Sequence, residues 1–317
     1  MIASAPGKLI LTGEYAVLEG APALVIAVDR RAIARRPDRP HSRPRGTSPF
    51  LVAVADEIAA RRGAQDPAVA AAMEIAVDST QFFDGTLKLG LGSSAAVTVA
   101  ATALAIGSAD HDEVFEIASA AHARAQGPRG AKGSGADVAA AVRGGVIAYS
   151  TAGIERVVWP ERLTLISFFT GTSADTPVLV AKIAAARKAD RAPVEAALAA
   201  IASASRAACQ ACALRGRELA AQGLLSALKL AATAIDQLAA ASGIPLVPPC
   251  VVAARAALAR LGGTAKTTGA GGGDVAIGVI PATEDPSTAA RLLIEAGCKP
   301  LALSVDQTGV DLHPGAQ

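Results

Sequence analysis

Short apolar runs bounded by glycine open the chain, and long alanine-rich stretches fill its second half. The runs IASAPGKLILTGEYAVLEG and APALVIAVDRRAIA predict strands over roughly the first 30 residues. Apolar positions at helical spacing then predict helices over 50–62 and 67–74, a short strand over 86–89, and helices over 95–106 and 111–126. A short helix through DVAAAVRGG stops at its glycines, and GGVIAYS and IERVVW read as strands. The pattern changes near Pro160. LTLISFFTG predicts a strand, and about 90 residues of helix follow it. After Cys250 come a helix, the loop KTTGAGGGD, the strand DVAIGVI, a helix over 289–296 and a last strand, LALSV. No internal repeat interrupts this order. It predicts an α+β protein of two domains, 1–160 and 161–317, which suits a chain of 317 residues.

Composition narrows the function. Hydrophobic residues make up 51% and charged residues 18%, with alanine the largest contributor, so a packed core is expected rather than disorder. Aromatics are only 3%, which argues against base-stacking platforms, and a net charge of +2 gives no global field for nucleic acid or membrane. Mean hydropathy is +0.38. The longest uncharged stretch, between Asp236 and Arg255, contains Gly243, Pro245, Pro248 and Pro249, which would break a spanning helix. The start, MIASAPGKLI, lacks the charged and apolar regions of a signal peptide. The expectation is a soluble cytoplasmic protein, monomeric or homodimeric, without nucleic-acid or membrane partners. The CxxC of Cys209 and Cys212 falls in a predicted helix with no second pair to complete a metal site, so ordinary buried cysteines are expected.

Any anionic ligand therefore needs a local site, and four segments offer one. Gly90-Leu91-Gly92-Ser93-Ser94-Ala95-Ala96 opens a predicted helix. Small residues admit a ligand close to the backbone, and the free N–H groups of the first turn favour an anion. The two hydroxyls suit a Mg²⁺ that bridges phosphates. No G-x-x-x-x-G-K-[ST] occurs. Gly90, Gly92 and Ala95 with Asp110 fit a loose dinucleotide fingerprint, but it follows about 90 residues of other structure instead of opening a parallel sheet. The second segment, residues 267–274 (TTGAGGGD), predicts a backbone anion nest, with Lys266 beside it as a ligand charge or a solvated end. The third runs from Lys132 through Ser134 and Gly135 to Asp137, and the fourth from Ser4 to Lys8. The loop over 35–49, with five arginines and four prolines, reads as a solvated excursion or as a basic flap over a ligand.

Taken in order, APGKLILTGEYAVLEG, GLGSSAAV, GSGAD and TTGAGGGD resemble the GHMP small-molecule kinase family, over residues 3–274. The resemblance implies an N-terminal domain with a left-handed βαβ crossover and a ferredoxin-like C-terminal domain. It implies ATP bound at Gly90, Leu91, Gly92, Ser93, Ser94, Ala95 and Ala96, with Mg²⁺ on Ser94. The stretch AHARAQG before GSGADVAAAVRGGVIAY, together with the loop 170–176, is similar to the phosphomevalonate kinase branch. Mevalonate kinases usually carry a Glu near the position of Gln126. The resemblance makes Lys8 and Asp137 the catalytic pair. Lys88, Arg124, Ser134, Gly135, Thr172, Thr176, Gly269, Ala270, Gly271 and Gly272 become candidates for the acceptor, a small phosphorylated acid.

The implied reaction passes a phosphoryl group from ATP to (R)-5-phosphomevalonate. Such an acceptor is mostly dianionic at pH 7, its second pKa being about 6, so Asp137 is expected to orient Lys8 more than to abstract a proton. The alternatives are a mevalonate kinase, another family member such as a sugar or homoserine kinase or a diphosphomevalonate decarboxylase, and, from a different class, a non-catalytic ATP-binding regulator.

Overall fold

The computed structural model describes residues 1–36, 48–127, 133–214 and 216–314. Most of the basic loop 35–49, and Lys132 with the four residues before it, lie outside the described residues. Strands β1 (Ile2–Thr12) and β2 (Ala23–Arg35) form a long antiparallel pair, joined by a 3₁₀ turn over Ala16–Glu19. The far edge of β2 is shared: β6 (Val146–Ser150) pairs with its first residues and β3 (Ala76–Asp78) with its last. β7 (Gly153–Val157) extends the sheet beyond β6, and β12 (Asp311–His313) adds to β1. Helices α1 (Pro49–Arg62), α2 (Pro67–Met73), α3 (Ser93–Ile106), α4 (His111–Gln126) and α5 (Ala136–Arg143) pack with Ala3, Ala5 and Ala34 of this sheet in one apolar cluster. Alanine and valine dominate that cluster, and their small side chains allow close helix approach.

One irregularity in β1 positions the site. Pro6 pairs with Arg31, but the next residue, Gly7, pairs with Val28, so the register shifts between them. The shift leaves two residues of β2, Asp29 and Arg30, without partners in β1. Before it, the odd residues Ala3 and Ala5 join the helix-covered cluster; after it, Leu9 and Leu11 join the opposite cluster and Ile10 packs beside α5. Lys8, just beyond the irregularity, lies against Gly92 at the start of α3. The Pro-Gly pair lies at this irregularity inside a continuous strand.

The second sheet holds β8 (Leu163–Phe169), β9 (Thr264–Thr267), β10 (Val275–Pro281) and β11 (Lys299–Leu301) in the order β11-β8-β10-β9, all antiparallel. Numbered along the chain this is 4-1-3-2, the ferredoxin-like order expected. Between its first two strands run α6 (Thr176–Ala189), α7 (Arg191–Ala213), α8 (Arg217–Ser242) and α9 (Pro249–Ala259), and α10 (Pro286–Glu295) links β10 to β11. α7 and α8 are each long and apolar enough to cross a bilayer by length and composition. One side of each, with Ile201 and Leu228, is buried in the protein, while Leu219 and Leu230 of α8 are exposed. Cys209 and Cys212 lie on α7, where burial raises their thiols to about 11 and about 12, which removes reactive thiolate.

The two sheets share one core. Leu9, Leu11 and Ile26 of the first pack in a single cluster with Phe169, Val275 and Ile277 of the second. β12 then returns the chain to the first sheet. Several boundaries differ from the sequence reading. α3 begins at Ser93 rather than Ala95, because Gly92 in a left-handed conformation starts it earlier. β9 extends through Lys266 and Thr267, which the sequence suggests as loop, and β12 was not anticipated.

Lys266 is neither a ligand charge nor a solvated end. It is 1% exposed, and its ammonium donates to Glu14, to the Leu11 carbonyl (2.9 Å) and to the Thr267 carbonyl (2.6 Å). Glu14 is buried equally, and this burial holds its carboxyl above the usual carboxylate range against the pull of the Lys266 ammonium. The pair ties the end of β1 to the second sheet. Breaking a buried pair by removing one partner strands the other charge, at a cost of about 3–5 kcal/mol. Lys266→Met should lose stability on that scale in guanidinium unfolding, and the double variant Glu14→Leu/Lys266→Met should be more stable than Lys266→Met alone. An equal loss in both would contradict this account.

Candidate active site

The tetrapeptide Leu89-Gly90-Leu91-Gly92 runs between the two sheets. Lys8 of β1 donates its backbone N–H to Leu91 (2.8 Å), and Val275 of β10 donates to Leu89 (3.2 Å). Leu89 and Leu91 anchor the segment in the core, at 4% and 0% exposure. The glycines are required by what lies against them. A Cβ on Gly90 would fall 2.3 Å from the Asp274 carboxylate, and one on Gly92 would fall 3.0 Å from Cε of Lys8. Both also have positive φ, which glycine adopts without strain. α3 follows at once, and no side chain caps its first turn. Its leading N–H groups and the positive end of its dipole are directed at the same place.

Lys8 lies within electrostatic reach of Asp137, Asp274 and Lys88. Burial pushes its ammonium below the ordinary lysine range; the two carboxylates oppose that fall and Lys88 adds to it. Asp274 is shifted upward by its burial, against the Ala174 N–H and the two lysines. Lys88, at the end of β5 (Leu87–Lys88), which pairs with β4 (Phe83–Asp84), is exposed. Two cations and two carboxylates thus converge on the glycine-rich loop. The lysines and the free amides are donors for an anionic ligand, and the carboxylates favour the charged form of Lys8 through space.

Three helix ends meet beside this group. Ser94 in the first turn of α3 has its Oγ 3.1 Å from Nε2 of His122, in the last turns of α4. Gln126, one turn further on, brings its amide nitrogen 3.1 Å from the same Nε2. Asp137, in the first turn of α5, has a carboxylate oxygen 3.9 Å from it and accepts from the Val138 N–H (3.0 Å) with the other. His122 is 3% exposed and stacks on Phe50 of α1. Ser134 turns its hydroxyl to the Ala136 N–H (3.2 Å), and its carbonyl accepts from the Tyr149 phenol (2.5 Å), which fixes the left-handed Gly135 that precedes α5.

The loop 170–176 is drawn into the site by Asp274. Asp274 N–H donates to the Thr172 carbonyl (2.7 Å), its carbonyl accepts from the Thr170 N–H (3.1 Å), and its carboxylate accepts from the Ala174 N–H (3.0 Å). Ser173 adds a bond to the Lys88 carbonyl (2.9 Å). Thr176 starts α6 and so borders the loop. The loop 269–273 differs from the anion nest expected. Gly271 N–H donates to Thr268 (3.3 Å) and Gly272 N–H to Leu246 (2.6 Å), so neither amide is free for a ligand. A Cβ on Gly271 would lie 2.5 Å from the Leu246 carbonyl, so this glycine serves close packing. The Ala270 carbonyl accepts from the Tyr15 phenol (2.6 Å), and Gly269 faces open space.

Of the residues the sequence singles out, Lys8, Lys88, Ser94 and Asp137 join one cluster around the glycine-rich loop. The side chains of Leu91, Ala95 and Ala96 are fully buried, so only their backbone can meet a ligand. Arg124 stands apart, donating to Glu57 of α1 (2.9 Å). Asp274, Tyr15, Tyr149, His122 and Gln126 received no role from the sequence. Asp274 carried one signal, as the acidic residue that ends a run of three glycines.

Known proteins agree with this architecture. Residues 50–145 match the N-terminal domain of GHMP kinases. The phosphomevalonate kinase of Streptomyces sp. strain CL190 is 28% identical over 98% of both chains. The mevalonate kinase of Archaeoglobus fulgidus is 31% identical over 88% of this chain and 92% of its own. The crystal structure of Streptococcus pneumoniae phosphomevalonate kinase, in complex with phosphomevalonate and AMPPNP, superposes with a TM-score of 0.76 at 19% identity, covering 96% of this chain and 99% of that one. Sequence, fold and the arrangement around the glycine-rich loop agree, and the chain belongs to the GHMP kinase family.

Proposed function

We propose that the protein transfers the γ-phosphoryl group of ATP to (R)-5-phosphomevalonate, giving ADP and 5-diphosphomevalonate. The observation that carries the reading is the convergence of Lys8 and Lys88 on an uncapped helix N-terminus beside Ser94. Where mevalonate kinases usually have a Glu stands the neutral Gln126, with its amide committed to His122. Such a site suits an acceptor that arrives with a phosphate of its own. The likeness to the Streptomyces phosphomevalonate kinase over nearly the whole chain supports this reading. A second reading, mevalonate as acceptor, rests on the likeness to the Archaeoglobus enzyme.

In the proposed reaction the amides of residues 92–96 and the α3 dipole hold the triphosphate. Lys8, within electrostatic reach of Asp137 and Asp274, stands where negative charge builds as donor and acceptor phosphates approach, and the barrier is largely this repulsion. Lys88 meets charge already present on the bound substrates. The donor set fits Mg²⁺. Among the described residues no group of three His, Cys, Asp or Glu side chains forms a cage, and Mg²⁺ in kinases takes most of its ligands from phosphates and water. Ser94 would hold it, and it would neutralise the phosphate oxygens. The acceptor oxygen is ionised at neutral pH, so Asp137 has no proton to remove and acts by orienting Lys8.

The acceptor is tested by supplying Mg²⁺-ATP with phosphomevalonate or mevalonate and measuring ADP. Phosphomevalonate should give the larger kcat/KM, and turnover of mevalonate alone would replace the proposed function with the second reading. The two lysines separate kinetically. Lys8→Ala should lower kcat about 10²–10³-fold with little change in KM, the pattern of an interaction made in the transition state. Lys88→Ala should chiefly raise KM. A wild-type kcat in Lys8→Ala would remove Lys8 from the chemistry. Asp137→Asn should slow the reaction while keeping the rate plateau above about pH 7 set by the ionised acceptor. A rate that instead climbs with pH, or rescue by added base, would identify Asp137 as a proton acceptor.

A further inference from the structure

His122 belongs to the AHARAQG stretch, which the reaction as described leaves without a task. It is a buried polar side chain on a helix rich in alanine, and burial without hydrogen bonds would be costly. Its Nε2 is the point where Ser94, Gln126 and Asp137 approach, at 3.1, 3.1 and 3.9 Å. The 3.9 Å separation exceeds a hydrogen bond, while the other two are within range. The Gln126 group facing Nε2 is its amide nitrogen, a donor, so Nε2 is the lone-pair end of the ring. The Gln126 amide and the Ser94 hydroxyl then share the one in-plane lone pair of Nε2 in a three-centre bond, the hydroxyl donating its hydrogen to it.

A serine hydroxyl has one hydrogen and two lone pairs, and it rotates freely unless something holds it. With the hydrogen taken up by His122, both lone pairs of Ser94 Oγ are turned away from the ring. A hard cation requires such lone pairs from an oxygen ligand. Stacking on Phe50, with ring centroids 5.6 Å apart and planes 22° from parallel, fixes the plane of the imidazole and hence the direction of its lone pair. Gln126, with a Cβ on Gly133 falling 2.8 Å from its Oε1, braces α4 against the loop that leads to Ser134. We infer that His122 is a positioning residue that orients the Ser94 hydroxyl as an acceptor for Mg²⁺ on the nucleotide. This rests on the reading of Ser94 as the residue that holds Mg²⁺.

The test is calorimetric binding of AMPPNP with and without Mg²⁺, which needs no turnover. His122→Phe keeps the stacked ring and removes the nitrogen. It should weaken Mg²⁺-dependent binding about tenfold, the scale of one hydrogen bond to a polar group, and leave metal-free binding unchanged. Ser94→Ala should do the same, and the double variant should be no weaker than either single one, since the two act through one interaction. His122→Gln, whose amide reaches the former position of Nε2, should recover most of the affinity, and His122→Asn, shorter by one methylene, should not. Long-range ¹H–¹⁵N spectra of the wild-type protein should place the imidazole proton on Nδ1. Losses that add in the double variant, equal behaviour of the Gln and Asn variants, or a proton on Nε2 would overturn the inference. If Ser94→Ala itself leaves Mg²⁺-dependent binding unchanged, the assignment of Ser94 fails first, and the inference fails with it. The Gln/Asn comparison keeps the test valid should His122→Phe fold poorly.

Discussion

The segment Leu89–Gly92 is hydrogen-bonded to both sheets at once, and the site depends on that constraint. One carbonyl is taken by β1 and another by β10. A segment so held cannot shift without breaking into a core that the two sheets share. Its glycines admit the Lys8 and Asp274 side chains to within van der Waals reach of the backbone. The amides that follow, at the start of α3, are therefore delivered to the same place as the charged groups. An anion site of this kind is preorganised: its donors are aimed before the ligand arrives, so little reorganisation is needed.

The braces around it are buried and long-range. Lys266 and Glu14 join the second sheet to the end of β1, and Tyr15, in a left-handed conformation at φ 58, carries its phenol to the Ala270 carbonyl. A non-glycine residue in that conformation is strained, and it persists where surrounding contacts hold it. Asp274, at φ 59, is the second such residue among those described, and it holds the loop 170–174 through two backbone bonds and one accepted by its carboxylate. Both strained residues thus sit at joints between the glycine-rich segments. Asp274 has two tasks. Its backbone shapes the loop that borders the site, and its carboxylate balances Lys8.

Charge in the site is balanced before a ligand arrives. The two lysines face two carboxylates, so the site carries no large excess of positive charge. Burial penalises the charged form of Lys8 in the free protein. An arriving polyphosphate would relieve that penalty, because a nearby opposite charge favours the ammonium. The network of Ser94, His122, Gln126 and Asp137 is uncoupled from this balance in one respect. It is built largely from dipoles, and so acts through direction more than through net charge.

The sequence carries the helices, the glycine-rich loops and Ser94 in its local pattern, while Lys8, Lys88 and Asp137 become candidates through the resemblance of its ordered motifs to a family. Alanine-rich periodicity specifies a helix within a few turns, and a glycine run specifies backbone freedom where it stands. It also carried the order of motifs that places the chain in its family. The tertiary structure decided the rest. Lys8 stands just beyond an irregularity in the pairing of β1 with β2, where Asp29 and Arg30 have no partners in β1, and that long-range register is not written in the local pattern. The partner of Lys266 is 252 residues away in the chain, so no local pattern could reveal that this lysine is buried. The loop 269–273 is rich in glycine for close packing on Leu246 as much as for any ligand, and only the approach of that carbonyl distinguishes the two. His122 shows the same limit. A histidine on an alanine-rich helix has no legible task until three helix ends are brought to one ring nitrogen, and that meeting is a property of packing.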